Sequence, residues 1–252
     1  MSRSIESLKL AERVADDLLR AVGESIPVDV GRVAEMVGVA TVETAPMIED
    51  GRTMWTPIGP VIQLNPARPK TRQRFTLAHE IAHVVLGPSS DPDRVVYRRA
   101  MCDSEIDEEH LCDAFAAALL MPRTWVNDQV RFWARPTFTL NLLRAMSGHA
   151  EVSISAAAAR VTDVAGRLCA VIRWSKVGNE FVSTHRAALP VDLVGKRLRL
   201  GPTTSDYLVA NRADGWIDGD IVADNTRLPA RMQINRDRKG MTMLITAIGR
   251  RD

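Results

Sequence analysis

The sequence Arg-Phe-Thr-Leu-Ala-His-Glu-Ile-Ala-His at residues 74–83 decides how the N-terminal half of this chain is interpreted. It lies within residues 71–86, a segment without helix-breaking residues that ends at a Gly-Pro pair. Residues four apart on a helix project to the same side, so His79 and His83 can bind one ion together. Glu80 lies further round the helix, where its carboxylate can reach a water molecule beside that ion.

Two histidines and a glutamate at this spacing are typical of a catalytic zinc site. Zinc binds imidazole nitrogen readily and lowers the pKa of a bound water towards about 7, and a nearby carboxylate can then accept its proton. The alternative is a helix with two surface or packed histidines. Burial favours the metal, because polar groups on a buried helix need partners. The residues that make most of this helix apolar are Phe75, Leu77, Ala78, Ile81, Ala82, Val84, Val85 and Leu86.

A catalytic zinc with two histidine ligands needs a third protein ligand and one open position. The next predicted helix, residues 105–120, offers Glu105, Glu108, Glu109, His110 and Asp113. Glu109 and Asp113 are four apart on one side, a spacing that would let Glu109 bind the ion and Asp113 accept a hydrogen bond from a ligating histidine. The acidic residues from Glu105 to Glu108 can instead be explained as charges that stabilise the N-terminal end of the helix dipole. This explanation is weaker for Asp113, which lies well inside the helix.

Together with Glu-His-Leu-Cys-Asp-Ala-Phe-Ala-Ala-Ala-Leu-Leu-Met-Pro at 109–122, the HExxH segment resembles the ImmA/IrrE family of bacterial metallopeptidases. The second motif of that family has glutamate, then Asn or Asp four positions on, then Phe-Ala and a Leu-Leu-Met-Pro ending. Further matches at 27–29 and 62–65 extend the resemblance over most of residues 25–122. The one departure is Cys112, where the family commonly has alanine; we interpret it as a packed apolar residue rather than a ligand.

The resemblance implies a zincin-like, gluzincin-type domain with active-site helices beside a small sheet. It implies that His79, His83 and Glu109 bind one Zn²⁺, with Mn²⁺ as the alternative ion, and that Glu80 is the base. Family members cleave helix-turn-helix repressors of the XRE (xenobiotic-response) type in stress or DNA-damage responses, so such a repressor is the expected protein substrate. No motif fixes the oxyanion stabiliser, for which the candidates are Tyr97, Arg98 and His110.

The order of predicted elements indicates an α+β protein in three parts. Residues 1–125 form the metallopeptidase domain, 126–165 a helical, helix-turn-helix-like subdomain, and 166–252 a β-rich sensor or docking domain. In the first part, residues 39–44 and 60–64 are predicted strands, with turn residues between them at Gly51, Pro57 and Gly59.

The helical part is predicted as two helices, 139–146 and 152–164, with a break at Ser147-Gly148. Its second helix has few donors for DNA bases, namely Ser153, Ser155 and Arg160. Four consecutive alanines there favour close packing, and direct contact with DNA stays open.

The β-rich part has strand-like apolar content at 167–174, 180–184, 198–200 and 241–248. Its comparison with a GAF-like sensor comes from family architecture and not from its residues. The aromatic residues there can line a pocket or pack in the core, of which core packing is the favoured interpretation. They are Trp174, Tyr207 and Trp216.

Composition limits which binding partners and which cellular compartment are expected. The net charge of +2 does not by itself indicate a polyanionic partner. Basic residues outnumber acidic ones after residue 165, which is explained by a solvated basic face or by an acidic partner. Three cysteines in no disulfide pattern, no signal peptide and no apolar run long enough for a bilayer predict a cytoplasmic protein without membrane contact.

Two functions of different classes follow. The first is a metal-dependent endopeptidase that cleaves a repressor, and the intact Glu80 favours it. The second is a DNA-binding or ligand-sensing regulator with a non-catalytic peptidase fold. A purely structural zinc would be closed by four protein ligands, and the sequence offers three convincing ones.

Overall fold

The computed structural model describes residues 2–23, 25–86, 105–133, 138–166, 169–177, 180–189, 193–210, 215–224, 226–237 and 240–248. Both helices and strands are present, and the predicted α+β class is confirmed. The chain forms two compact units, the first of Met1–Arg123 with Gly148–Ser153, the second of Thr124–Ser147 with Ile154–Asp252. Most of the helical segment that we predicted as a separate subdomain therefore lies in the same unit as the C-terminal strands.

The first unit is built from α-helices around a small sheet. Within the described residues its elements are α1 (Ser2–Val22), α2 (Val30–Met36), β1 (Thr41–Thr44), β2 (Gly51–Thr56), β3 (Gly59–Leu64), α3 (Lys70–Leu86) and α4 (Glu105–Leu120). Helix α1 contacts α4 and buries Ala11, Ala15 and Leu19, which recur every four residues. The carboxylate of Asp29 caps α2 by accepting the backbone N–H of Arg32.

The sheet has the order β1-β3-β2, with β1 parallel and β2 antiparallel to β3. Strand β2 is therefore an edge strand of this sheet. The prediction of a turn at Gly51 is wrong, because Gly51 begins β2. A Cβ at this position would lie 2.5 Å from Cγ2 of Thr76 on α3. The glycine is thus required by close packing of the strand on the helix rather than by a turn.

Helices α3 and α4 contact each other, and α3 also contacts β2 and β3. Their bounds agree with the predicted segments 71–86 and 105–120. Helix α3 is buried on most of its circumference, as its apolar residues predict, because it lies between the sheet and α4.

In the described ranges, three helices lie between α4 and the strands of the barrel, and most of their residues lie in the second unit. They are α5 (Arg123–Trp133), α6 (Leu140–His149) and α7 (Ile154–Ala165). The predicted break between α6 and α7 is present, but it lies at residues 150–153 rather than at Ser147-Gly148, since α6 continues to His149. Arg160, a candidate DNA donor, is only 5% exposed and pairs with Asp163 at 3.1 Å. None of the helices in the described ranges is both long and apolar enough to cross a membrane.

Six strands of the second unit form a closed barrel in which each strand pairs antiparallel with the next, and β9 pairs with β4. The strands are β4 (Ala170–Val177), β5 (Glu180–Ala187), β6 (Leu198–Leu200), β7 (Gly215–Ala223), β8 (Thr226–Asp237) and β9 (Gly240–Ile248). Helix α8 (Pro202–Ala210) contacts β7. The β-rich prediction is confirmed, whereas the zincin-like and GAF-like parts of the fold prediction stay predictions.

The interior of this barrel is apolar. Trp174 is fully buried there, in agreement with core packing. Tyr207 and Trp216 line a cleft of about 210 Å³ instead, so core packing is wrong for these two aromatic residues. Their polar ends explain this position, because a phenol or an indole N–H favours a site that stays near water.

A buried carboxylate joins α8 to β7. Asp220 is 4% exposed, and Thr204 donates to its Oδ1 at 2.9 Å while accepting its backbone N–H at 2.7 Å. Arg227 on β8 forms an ion pair with the other oxygen, Oδ2. A Cβ on residue 201 would overlap the carboxylate of Asp220. The backbone can therefore pass so close to this carboxylate only because Gly201 has no side chain.

Candidate metal centre

Helices α3 and α4 bring His79, His83 and Glu109 together, with one ligand atom of each within 4.8 Å of the others. The Nε2 atoms of the two histidines are 3.2 Å apart. Glu109 faces both rings: its Oε2 lies 3.2 Å from Nε2 of His79, and its Oε1 lies 3.4 Å from Nε2 of His83. The helical spacing of four places both rings on the side of α3 that faces the first turns of α4.

These distances fit a divalent cation. Zinc bonds of about 2.0–2.2 Å to nitrogen and oxygen give a tetrahedron with edges of about 3.3–3.6 Å. The separation of 3.2 Å between the two Nε2 atoms is close to such an edge. Each carboxylate oxygen of Glu109 lies 3.2 or 3.4 Å from one of these nitrogens, which places the carboxylate beside both. A single proton cannot bond to two imidazole nitrogens and a carboxylate at the same time, whereas one metal cation can bind all three groups. The donor set therefore fits one Zn²⁺, and Mn²⁺ is compatible with it.

Asp113 controls the tautomer of His79. Its Oδ1 lies 2.9 Å from Nδ1 of the ring, so Nδ1 donates the hydrogen bond and Nε2 keeps its lone pair for the ion. Burial lowers the pKa of His79, but the hydrogen bond to Asp113 and the charges of Asp113, Glu109 and Glu80 outweigh it, and the pKa is raised. The same negative field stabilises a bound cation.

His83 has a different set of neighbours. Oε1 of Glu108 lies 3.5 Å from its Nδ1, and Sγ of Cys112 lies 3.7 Å from the same nitrogen. Cys112 is fully buried beside Nδ1 and not beside Nε2, so its sulfur lies outside the group of three converging ligands. This position agrees with the packing role that we predicted for Cys112.

Glu80 is close to the ligands and is held by a residue of β2. Its carboxylate is mostly buried, and Oε2 accepts a hydrogen bond from Oγ1 of Thr53 on β2 at 2.7 Å. Glu80 also lines the cleft that contains the histidines. A carboxylate at this place can exchange a proton with a water molecule in the cleft.

The cleft has a volume of about 610 Å³ and opens between β2, α3 and the start of α4. Its rim is formed by charged and aromatic side chains. Trp55 of β2 is 54% exposed there, and Arg72 of α3 lies over the ring of Phe75 with 5.6 Å between guanidinium carbon and ring centroid. A rim of this kind offers both apolar and charged contacts to a bound chain.

The predicted oxyanion candidates are not brought into this cleft by the described part of the chain. Tyr97 and Arg98 lie outside the described residues, and His110 is exposed and does not line the cleft. The sequence missed Thr53 and Trp55, because β2 was not predicted as a strand. An edge strand beside the HExxH helix is the signal that would have identified both.

Comparisons with known proteins agree with this geometry. A model of the IrrE N-terminal-like domain, described as a peptidase family, matches residues 34–135. Over 106 residues the chain is 36% identical to the Radiation response metalloprotease IrrE of Deinococcus radiodurans. Residues 34–135 are therefore similar to the ImmA/IrrE family. The alignment covers 41% of this chain and 31% of that relative, so the chain spans less than a third of the relative's length.

A solved structure shares the fold of a longer part of the chain. It is a Mycobacterium tuberculosis transcriptional regulator, similar over 94% of this chain and 75% of its own with a TM-score of 0.52. At 14% sequence identity this likeness concerns the fold alone. It extends beyond the residues that match the IrrE N-terminal-like domain and includes most of the second unit.

Proposed function

We propose that this protein is a metal-dependent endopeptidase. The observation that carries the proposal is the convergence of His79, His83 and Glu109 at 3.2–3.4 Å, with the mostly buried carboxylate of Glu80 in the same cleft. The match to the IrrE N-terminal-like domain supports a hydrolase of this class.

His79, His83 and Glu109 would hold one Zn²⁺, or Mn²⁺ in its place. When bound, the ion lowers the pKa of a water molecule and polarises the carbonyl of the scissile peptide. Glu80 accepts the proton of the attacking water and returns it to the leaving amine. Asp113 keeps Nδ1 of His79 protonated, so that this ring presents a lone pair and not a proton to the site.

An extended peptide suits the shape of the cleft. Strand β2 is the edge of its sheet, and no other strand pairs with its outer side within the described ranges. A peptide that pairs with this edge would place its backbone beside Glu80 and some of its side chains on Trp55.

As the substrate we propose a helix-turn-helix repressor of the XRE type, cleaved in a stress or DNA-damage response. The support is the family of the domain and the name of its relative, which is described as a radiation response metalloprotease. The barrel would serve as a docking or GAF-like sensor domain, and its small cleft at Tyr207 and Trp216 is a place for a ligand.

The alternative is a DNA-binding or ligand-sensing regulator with a non-catalytic peptidase fold. The structural neighbour is a transcriptional regulator, which favours this alternative, but that likeness concerns the fold. The burial of Arg160 removes one of the few base donors that α7 has.

The test uses chain reconstituted with Zn²⁺ or Mn²⁺ and a peptide library from a tryptic digest of bacterial cytosol, with new termini identified by mass spectrometry. We expect about one ion per chain and cleavage that is absent in Glu80→Gln. A panel of purified XRE-type repressors then tests the substrate. A chain that holds the ion but cleaves neither library nor repressors would favour the regulator.

A further inference from the structure

Thr53 and Glu80 form a contact that the catalytic roles above do not explain. Thr53 lies in the middle of β2 and Glu80 on α3, 27 residues later, and the hydroxyl donates to Oε2 at 2.7 Å. Glu80 is only 8% exposed. No second hydrogen bond to this carboxylate occurs among the residues whose positions are described. A mostly buried carboxylate with a single donor depends on that donor for its orientation.

The bond makes the two oxygens of Glu80 unequal. Oε2 is occupied by the hydroxyl of Thr53, whereas Oε1 receives no hydrogen bond from the described residues and Glu80 lines the cleft. Within the described part of the chain, Oε1 is thus the oxygen that has no hydrogen bond and can accept a proton. Fixing Oε2 also restricts the terminal torsion of the glutamate, which is otherwise a broad, two-fold rotor.

The short threonine side chain reaches Glu80 because β2 lies unusually close to α3. Gly51 and Thr53 are two residues apart and therefore on the same face of the strand. At Gly51 a Cβ would lie 2.5 Å from Thr76 Cγ2 and 2.9 Å from the backbone oxygen of Gln63. Any side chain at this position would push the strand away from the helix and lengthen the Thr53–Glu80 bond.

We propose that Thr53 is a positioning residue that holds the carboxylate of Glu80 with Oε1 directed into the cleft, and that Gly51 sets the strand-to-helix distance that makes this possible. The inference rests on the proposed endopeptidase function, since Glu80 needs positioning only as a base. It assigns to the edge strand a role in the chemistry in addition to peptide binding.

The first test compares kinetics on a peptide that the wild type cleaves from the tryptic library. We expect Thr53→Val to lower kcat about ten- to a hundredfold, with KM and metal content within about twofold, and Thr53→Ser to stay within about threefold of the wild type. Gly51→Ala should follow Thr53→Val. Thr56→Val is the matched control, because Thr56 is on the same strand and donates to the backbone oxygen of Gly59. A kcat of Thr53→Val within twofold of this control overturns the proposal.

The second test does not need activity. In the metal-free protein, thermal unfolding of Thr53→Val, Glu80→Met and the double variant forms a double-mutant cycle. We expect Thr53→Val to lower Tm by about 3–6 °C when Glu80 is present and by less than about 1 °C when it is methionine. Equal shifts in both backgrounds show that the contact is absent and overturn the proposal.

The two tests separate the failure of this inference from the failure of the proposed function. A wild type that binds the ion and cleaves nothing removes the endopeptidase function, and with it the positioning role, even if the cycle shows coupling. A wild type that cleaves peptides, with Thr53→Val unimpaired, removes only the role of Thr53.

Discussion

Each unit of this protein contains a buried carboxylate held by a threonine hydroxyl, and the two differ in their second oxygen. In the barrel, Asp220 bonds Thr204 through Oδ1 and pairs with Arg227 through Oδ2, beside a glycine that leaves no space. In the first unit, Glu80 bonds Thr53 through Oε2, has no second bond among the described residues, and lines a cleft of about 610 Å³.

This difference distinguishes a carboxylate with a structural role from one that can take part in a reaction. A buried carboxylate whose oxygens are both paired joins two elements and has nothing left to offer a substrate. A carboxylate with one held oxygen and one free oxygen keeps a fixed orientation and the capacity to accept a proton. Burial and charge alone would have put Asp220 and Glu80 in the same class.

The largest expected effect is at Glu80. Glu80→Gln keeps the hydrogen bond from Thr53 but removes the base, so peptide cleavage should fall by about a thousandfold or more. Metal content by elemental analysis should stay near that of the wild type. A variant that retains a tenth of the cleavage rate would show that Glu80 is not the base.

The next effect is expected at Glu109. Glu109→Ala leaves two histidines without their anionic partner, and the affinity for Zn²⁺ should fall by at least about a hundredfold. Competition with a chelator measures this loss. Glu35→Ala, an exposed glutamate on α2, is the charge-matched control and should bind as the wild type does.

A smaller effect is expected at Asp113. Asp113→Asn keeps an acceptor for Nδ1 of His79 but removes its charge, so the affinity for the ion should fall about tenfold. Glu108→Gln should cost less, because Glu108 Oε1 is 3.5 Å from its histidine, against 2.9 Å for Asp113. The reverse order would show that His83, and not His79, depends more on its outer partner.

The smallest effect is expected at Asp220, and it should affect stability only. Asp220→Asn removes the ion pair with the well-exposed Arg227 and should lower the free energy of unfolding by about 1 kcal/mol. Denaturant unfolding measures it, with exposed Asp218→Asn on the same strand as control. A change in metal content on Asp220→Asn would contradict the division between the two carboxylates.

The helices of the site could be predicted from sequence, because their signals are local. HExxH, the absence of breakers up to Leu86, and the spacing of Glu109 and Asp113 suffice to define α3, α4 and the candidate residues on each helix. That Glu109 lies beside His83 in the folded chain could not be derived from sequence spacing alone, and the motif resemblance supplied this expectation.

The strands were harder to predict because tertiary contacts decide them. Gly51 begins β2, Gly219 lies inside β7, and Pro229 lies inside β8 opposite Asp220. Each residue disfavours a strand by local propensity, and each is tolerated where packing or register demands it. Thr53 was missed for the same reason, since its partner lies 27 residues away and only the folded strand brings them together.

The start of α6 has a consequence for the order of events during synthesis. The backbone N–H of Leu140, which no residue of its own helix can satisfy, donates to the side chain of Gln233 on β8, 93 residues later. At about 5–20 residues per second the ribosome needs roughly 5–20 s to add that glutamine. For this interval the nascent helix exposes a backbone donor that water must satisfy, and its native end is completed only when the barrel closes.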